Sequence, residues 1–138
     1  MGCGYWGSKH IRLCYHHPLL RLALAVDGRQ ERLDYISSEY RGVPVARQFE
    51  AVLKSDAAGV ILATPVSTHF ALAKDALLAG KHVLVEKPMA TTSAQCRELI
   101  AIAEERRLVL MVGHTFEYHP AVELMCEIIR QGQLGKLY

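Results

Sequence analysis

The chain opens with a glycine-rich hexamer, GCGYWG at positions 2–7, which has the spacing G-x-G-x-x-G. In this pattern the glycines allow a tight turn between a buried strand and a helix, and they bring backbone N–H groups up to a dinucleotide pyrophosphate. Ordinary turn glycines are the alternative, since such hexamers also arise by chance. Only Met1 precedes the hexamer, so we expect the strand before the turn to be missing from this chain. The candidate cofactor contacts here are Gly2, Gly4, Tyr5, Trp6 and Gly7.

Short apolar runs alternate with amphipathic stretches along the rest of the chain. Such runs are typical of parallel strands that helices cover on both faces. The pattern therefore predicts an α/β fold built on a doubly wound parallel sheet. The predicted strands are 22–26, 58–64, 82–86 and 108–113, with a short strand at 42–47 and a short helix at 49–55.

Three longer helices have recognisable ends in the sequence. One is predicted at 67–79, where Gly80 closes it. Another begins after Thr92, and Gln95 three residues later completes a capping box. The third has Pro120 in its first turn. Their predicted apolar faces include Cys96, Leu99, Ile100 and Ala103 in the second helix and Ala121, Leu124, Met125 and Ile128 in the third.

Polar residues follow directly on the predicted strands. The carboxyl ends of parallel strands lie at one edge of a sheet, and open α/β sheets bind their ligands at that edge. We therefore expect five separate chain segments to meet in a single crevice. These segments are the hexamer at 2–7, Asp27, Thr64-Pro65, Glu86-Lys87-Pro88 and His114.

Asp27 follows the hexamer at the end of a predicted strand. A carboxylate in this position accepts hydrogen bonds from the adenosine ribose hydroxyls and repels a 2′-phosphate, which favours NAD as the cofactor. The nearby Arg29 keeps NADP open. The alternative interpretation of Asp27 is a turn residue, because it precedes Gly28 and Asp-Gly is a common turn pair.

Lys87 is the candidate catalytic residue and also a candidate cofactor contact. A lysine at a strand end can exchange a proton with a substrate hydroxyl while hydride moves to or from a nicotinamide. Burial and a nearby oxidised ring lower a lysine pKa toward neutrality, whereas a neighbouring carboxylate such as Glu86 opposes that change. A solvated surface lysine is the alternative. The remaining candidate cofactor contacts are Thr64, Pro65, His69 and Glu86, with helix capping as the alternative for His69.

A further polar cluster follows the last predicted strand. It contains His114, Glu117, Tyr118 and His119. Substrate binding and capping of the helix at Pro120 are equally good interpretations of this cluster.

Composition excludes several other classes of protein. The chain has 138 residues, a net charge of +2, 51% hydrophobic and 22% charged residues, which is typical of one globular domain. Its basic residues are dispersed and its aromatic residues form no stacking ladder, so no nucleic-acid partner is expected. No apolar run is long enough to span a bilayer, and no membrane partner is expected. The four cysteines lie far apart, which predicts no metal site and reduced thiols in the cytoplasm.

Four segments together resemble one known family, that of glucose-fructose oxidoreductase, inositol dehydrogenase and the rhizopine catabolism protein (Gfo/Idh/MocA). These segments are GCGYWG at 2–7, ATPVSTH at 63–69, HVLVEKPMATT at 82–92 and MVGHTFEYHPAV at 111–122. The EKP element and the T-P-x-x-x-H upstream of it are specific for the family, and the similarity extends over nearly the whole chain.

The resemblance implies a Rossmann domain for NAD(P) over residues 1–134 and a C-terminal α/β substrate domain, of which 135–138 is the entry. The EKP lysine of the family corresponds to Lys87, and the peptide bond from it to Pro88 is often cis. Family members pair this lysine with a histidine from the second domain, and that domain often builds a homo-oligomer. The implied substrate is a sugar, sugar nucleotide or polyol that is oxidised at a secondary hydroxyl.

Three functional hypotheses follow from the resemblance. In the first, the chain is the nucleotide-binding part of an NAD(P)-dependent sugar dehydrogenase. In the second, it is a module that binds NAD(H) without turning over a substrate. In the third, the family scaffold uses bound NAD to cleave a glycoside without net production of NADH.

Overall fold

A computed structural model describes residues 1–136 of the chain. Helices and strands alternate in it, as an α/β fold requires. The helices are α1 (Tyr5–His16), α2 (Gln30–Glu39), α3 (Glu50–Lys54), α4 (Val66–Leu78), α5 (Ser93–Glu105) and α6 (Pro120–Arg130), with a 3₁₀ helix at Thr115–Tyr118. The strands are β1 (Ala25–Val26), β2 (Val45–Ala46), β3 (Gly59–Leu62), β4 (His82–Val85) and β5 (Leu110–Val112).

All the strand pairs are parallel, and they form two groups. One group joins β1 to β2, and the other has the order β3-β4-β5. The register pairs Val60 with Val83 and Leu62 with Val85. Parallel strands need crossover connections, which the intervening helices supply. The predicted parallel α/β architecture is therefore confirmed.

The larger core lies under the three-stranded group. Alternate residues of β3 and β4 are buried, and they face apolar side chains of α4 and α5. Leu62, Leu77 and Leu99 are completely buried in this core. A smaller core surrounds the two-stranded group and is built around Leu33 and Ile36 of α2.

Met1 and Gly2 bridge the two groups of strands. The Met1 amine donates to the Ile61 carbonyl (2.8 Å), and the Ala63 N–H donates to the Met1 carbonyl (2.9 Å). On the other side, the Gly2 N–H donates to the Val26 carbonyl (2.8 Å). Beyond this bridge a cavity of about 560 Å³ separates β1 from β3. Its lining is mainly apolar and includes Ile11, Leu22, Leu24, Val60 and Ile61.

Several helix ends agree with the sequence patterns. The Thr92 hydroxyl accepts the Gln95 N–H (3.2 Å), as the capping box predicts. The Gln95 side chain, however, accepts from the N–H and hydroxyl of Thr91. Gly80 follows α4 with φ of +78°, the left-handed conformation that ends many helices.

Other features of the helices were not predicted. Helix α2 had no counterpart in the predicted elements. Ile100 on the predicted apolar face of α5 is exposed, as are Leu124 and Met125 on that of α6. Helix α6 contains no buried residue and, among residues 1–136, contacts mainly the 3₁₀ helix before it. Among residues 1–136, no helix combines the length and apolar character that a membrane crossing requires.

Candidate active site

The predicted crevice exists at the carboxyl ends of the strands, as an open cleft of about 800 Å³. Four segments meet there: the glycine loop, the end of β1, the end of β3 and the end of β4. The site residues predicted from the sequence that line it are Gly2, Gly4, Tyr5, Trp6, Asp27, Thr64, Pro65, His69, Glu86 and Lys87. The fifth predicted segment, His114, is exposed and does not line this cleft.

The glycine loop is packed so tightly that two of its glycines tolerate no side chain. A Cβ at Gly2, whose φ is +85°, would lie 2.5 Å from the Ala63 carbonyl oxygen. A Cβ at Gly7 would lie 1.8 Å from the Gly2 carbonyl oxygen. Gly7 therefore serves the close packing of the loop, and it lines the cavity between the two strand groups rather than the cleft.

Gly4 differs from these two glycines because the space beside it is open. The nearest atom to a Cβ built there is the Arg29 Nη2, at 3.9 Å. Gly4 is the N-cap of α1, and no side chain caps this end of the helix. The first N–H groups of a helix without such a cap attract anions, and the absence of a side chain lets a phosphate approach them. This end of the cleft thus fits the pyrophosphate of a dinucleotide.

Tyr5 and Trp6 form the outer edge of the loop. Their rings meet edge to face, with centroids 5.5 Å apart, and the Lys9 ammonium lies 4.7 Å from the Tyr5 ring centroid. Tyr5 is 72% exposed and Trp6 44% exposed. Both rings are therefore accessible to a ligand in the cleft or to a further protein surface.

Asp27 is buried at the end of β1 and binds protein groups on every side. Its Oδ2 accepts the Cys3 N–H (2.8 Å), and its Oδ1 accepts the Arg29 N–H (2.9 Å). The Arg29 guanidinium adds contacts from Nε to Oδ1 (3.1 Å) and from Nη2 to Oδ2 (3.3 Å). Burial alone would raise the pKa of Asp27, but the hydrogen bonds from Arg29 and Cys3 outweigh it and hold that pKa below its ordinary value.

His69 connects two loops of the cleft. Its Nε2 lies 2.8 Å from the Thr64 carbonyl oxygen, and its Nδ1 lies 2.8 Å from the Pro88 carbonyl oxygen. The ring is almost completely buried. Because both ring nitrogens contact backbone carbonyls, His69 holds the end of β3 against the loop that carries Lys87. Direct contact between His69 and a cofactor stays a prediction.

Lys87 lies at the rim of the cleft, and the peptide bond that joins it to Pro88 is cis, as the resemblance predicted. Its side chain is exposed, so the buried environment expected for it is not present among the described residues. The adjacent Glu86 is buried. Its Oε1 lies 2.8 Å from the Nε2 of His10, and a Cβ on Gly113 would lie within 3.3 Å of its carboxylate.

His10 was not among the functional candidates predicted from the sequence. The sequence did contain an indication of this contact. His10 lies one helical turn after Gly7, on the face of α1 that is directed toward the end of β4. The His10–Glu86 pair joins the glycine helix to the loop of Lys87, and it therefore fixes the distance between the two ends of the cleft.

The polar cluster after β5 contains one clear cap. The His119 Nδ1 accepts the Ala121 N–H (3.1 Å) at the start of α6, which confirms the capping interpretation for this residue. A role in substrate binding stays a prediction for His114, Glu117 and Tyr118. Within residues 1–136, no three His, Cys, Asp or Glu side chains are grouped as a metal site would need.

Comparison with known proteins agrees with this geometry. Residues 1–114 match the model of an oxidoreductase family with an NAD-binding Rossmann fold, Gfo/Idh/MocA. The chain belongs to this family. A UDP-N-acetylglucosamine 3-dehydrogenase from Acidithiobacillus ferrooxidans is 35% identical over 127 residues, which are 91% of this chain and 39% of that protein. A dTDP-3,4-didehydro-2,6-dideoxy-alpha-D-glucose 3-reductase from Actinomadura kijaniata is 31% identical over 120 residues, 87% of this chain and 36% of that protein.

Solved structures show the same fold in family members. A 3-ketoreductase from Actinomadura kijaniata, in complex with NADP and TDP-benzene, has a TM-score of 0.85 at 28% identity and covers 95% of this chain. A scyllo-inositol dehydrogenase from Lactobacillus casei, with NAD(H) and scyllo-inositol bound, has a TM-score of 0.86 at 22% identity and covers 98% of this chain. This chain spans only 41% of each of those chains. The predicted entry to a second domain at 135–138 lies partly outside the described residues, since it includes Leu137 and Tyr138.

Proposed function

We propose that this chain binds NAD(P)(H) in the cleft and serves as the nucleotide-binding part of a dehydrogenase that acts on a secondary hydroxyl of a sugar-type substrate. The observation that carries the proposal is the cleft itself. It joins an uncapped helix end beside an open glycine, a buried acid at the end of β1 and a lysine at the end of β4. An extended dinucleotide needs this order of groups for its pyrophosphate, ribose and nicotinamide.

Lys87 is the proposed proton-transfer residue. The cofactor supplies a hydride acceptor or donor at carbon four of its nicotinamide ring. In the oxidation direction Lys87 would take up the proton of the substrate hydroxyl while a hydride leaves the adjoining carbon, so that the secondary alcohol would become a ketone. The exposed position of Lys87 at the rim suits contact with a substrate that arrives from outside the cleft.

The substrate class rests on the relatives. The dehydrogenase and the reductase named above act on nucleotide-linked sugars at carbon 3, and the inositol dehydrogenase has a polyol bound. A sugar, sugar nucleotide or polyol is thus the proposed substrate. A homo-oligomeric parent protein and a cytoplasmic location are parts of the same proposal.

Gly4→Ala tests the cleft most directly. The backbone at Gly4 has φ of −73°, which any residue adopts, and a Cβ there would touch no closely packed atom. We expect unchanged thermal stability but a loss of NADH and NADPH affinity of about ten-fold or more, because the methyl group occupies the approach of the pyrophosphate to α1. Titration of cofactor fluorescence with the 138-residue chain measures this.

A matched control is Ser37→Ala on the exposed face of α2, which should leave affinity unchanged. Failure of the unmodified chain to bind either cofactor would contradict the proposed function. Unchanged affinity in Gly4→Ala would place the pyrophosphate elsewhere.

A module that binds NAD(H) without turnover is a second candidate. It is favoured by the cleft, which residues of this chain line without a contribution from another chain. Cofactor binding without alcohol-dependent formation of NADH or NADPH by the parent protein would support it. Release of sugar from a glycoside without net NADH production would instead support the third hypothesis, glycoside cleavage with bound NAD.

A further inference from the structure

Asp27 is the residue that the sequence predicts to contact the ribose, but the structure leaves this carboxylate little capacity for a ligand. A carboxylate has about four lone-pair positions for hydrogen bonds. Four donors already reach them: the Cys3 N–H, the Arg29 N–H, and the Nε and Nη2 of Arg29. The side chain of Asp27 is also only 8% exposed. A ribose hydroxyl therefore has to displace a donor before Asp27 can accept from it.

Arg29 lines the cleft beside Asp27. Its side chain is 56% exposed, and its Nη2 is the atom nearest to the open side of Gly4. Two of its five N–H donors are used on Asp27. None of the hydrogen bonds found among residues 1–136 uses its Nη1, so this nitrogen remains available to a ligand. The guanidinium, rather than the carboxylate, is the polar group that the end of β1 presents to the cleft.

The charges around Gly28 favour an anion. Arg29 and Asp27 neutralise each other, whereas Arg47 donates to the Gly28 carbonyl (3.0 Å) and brings a second guanidinium to the same turn. Arg32 lies on the inner side and donates to the Cys3 carbonyl (2.8 Å). Glu31, in the first turn of α2, is the acidic residue that opposes them. Together, the side chains of Asp27, Arg29, Glu31, Arg32 and Arg47 carry a net positive charge. This charge lies beside the Nη1 of Arg29, which is available to a ligand.

We infer that this site selects NADP(H), with Arg29 binding the 2′-phosphate of the adenosine ribose and Asp27 positioning Arg29. Guanidinium groups bind phosphate through paired, charge-assisted hydrogen bonds, and an arginine at the end of this strand accommodates a 2′-phosphate in dinucleotide-binding folds. The inference rests on the proposed function, since it concerns the same cleft.

The first test compares NADPH and NADH on the unmodified 138-residue chain. We expect NADPH to bind about ten-fold or more tightly than NADH at low salt, because a charge-assisted contact adds to the shared ones. The difference should shrink as salt screens the phosphate. The same comparison can be made with ligands that lack a nicotinamide. Adenosine 2′,5′-bisphosphate, which carries the 2′-phosphate, should displace NADPH more effectively than AMP does, as measured by NADPH fluorescence.

The second test substitutes Arg29. In Arg29→Leu we expect NADPH affinity to fall about ten-fold while NADH affinity stays the same or rises, since two acceptor positions of Asp27 become free. Arg29→Lys should bind NADPH with intermediate affinity, because it keeps the charge but loses the paired geometry. Arg21→Leu is the matched control. Arg21 is also exposed and paired with an aspartate, Asp56, at 2.8 Å, but it lies outside the cleft.

The outcomes separate this inference from the proposed function. Tight NADH binding with no preference for NADPH would overturn the selection of NADP(H) and leave the cleft as a dinucleotide site. Binding of neither cofactor would overturn both. Equal losses for NADPH and NADH in a folded Arg29→Leu protein, checked by circular dichroism, would make Arg29 a purely structural partner of Asp27.

Discussion

The two groups of strands differ in what they contribute to the molecule. The three-stranded group, β3 to β5, lies on a continuous core with α4 and α5, where several leucines are fully buried. The two-stranded group, β1 and β2, has a smaller core and borders an open cavity. Yet the groups proposed to bind the adenosine half of the cofactor, the glycine loop, Asp27 and Arg29, belong to this second half. The main packed core thus lies on one side of the chain, whereas the groups proposed to bind the adenosine half of the cofactor lie on the other.

The largest expected effect comes from the well-packed side. Leu77→Ala removes a completely buried side chain from α4, and we expect a loss of about 2–5 kcal/mol in the free energy of unfolding. Leu78→Ala, one position later and 44% exposed, is the matched control and should cost less than about 1 kcal/mol. Urea denaturation followed by circular dichroism measures both. Equal losses of unfolding free energy in the two variants would mean that the core under β3 to β5 does not dominate stability.

The second prediction concerns the cavity between β1 and β3. A five-residue Val/Ile-rich extension before Met1 should continue the pairing that Met1 and Gly2 begin and fill that cavity as a parallel strand. We expect the free energy of unfolding to rise by about 1–2 kcal/mol, because the stabilisation from apolar burial exceeds the cost of ordering the added backbone. A Gly/Ser extension of the same length is the control. Thermal unfolding that does not distinguish the two extensions would contradict the prediction.

The smallest expected effect is a dependence of stability on pH. Burial lowers the pKa of the Met1 amine below its ordinary value of about 8, although nearby Cys3 and Asp27 oppose this. The unfolded chain therefore binds more protons than the folded one just below pH 8, so stability rises with pH and levels off above about 8. Below about pH 8, each pH unit changes the free energy of unfolding by at most about 1.4 kcal/mol.

Thermal unfolding between pH 7 and pH 8.5 measures this dependence, on protein shown by mass spectrometry to retain Met1. The Val/Ile-rich extension moves the terminal amine away from the Ile61 carbonyl. It should therefore abolish the rise of thermal stability with pH. An identical slope with and without the extension would assign the titration to another group.

Much of the fold was predictable because it depends on local signals. Runs such as 58–64 and 82–86 contain the observed β3 and β4, and the ends of α4 and α5 follow from Gly80 and Thr92. Helix α2 was missed because its sequence is mostly polar. The stripe of α6 was correctly read as amphipathic, but periodicity does not tell whether a second surface covers it.

The candidate site was predictable in position but less so in detail. The topology of a parallel sheet brings the strand ends together whatever their side chains, and so the cleft formed where expected. The partners within it depended on long-range contacts. His10 and Glu86, for example, are 76 residues apart.

The sequence by itself therefore determined the parallel α/β class and the edge of the sheet at which the cleft lies, because these follow from periodicity and from where polar residues follow the strands. The resemblance of its EKP and T-P-x-x-x-H motifs indicated the family. Only the tertiary structure decided what each polar group does there. Asp27 is tied to Arg29 and Cys3, and His69 to two backbone carbonyls, because burial requires these groups to find hydrogen-bond partners. Which hydrogen-bond partner lies within reach depends on how distant segments of the chain pack together. A local sequence pattern does not contain that information.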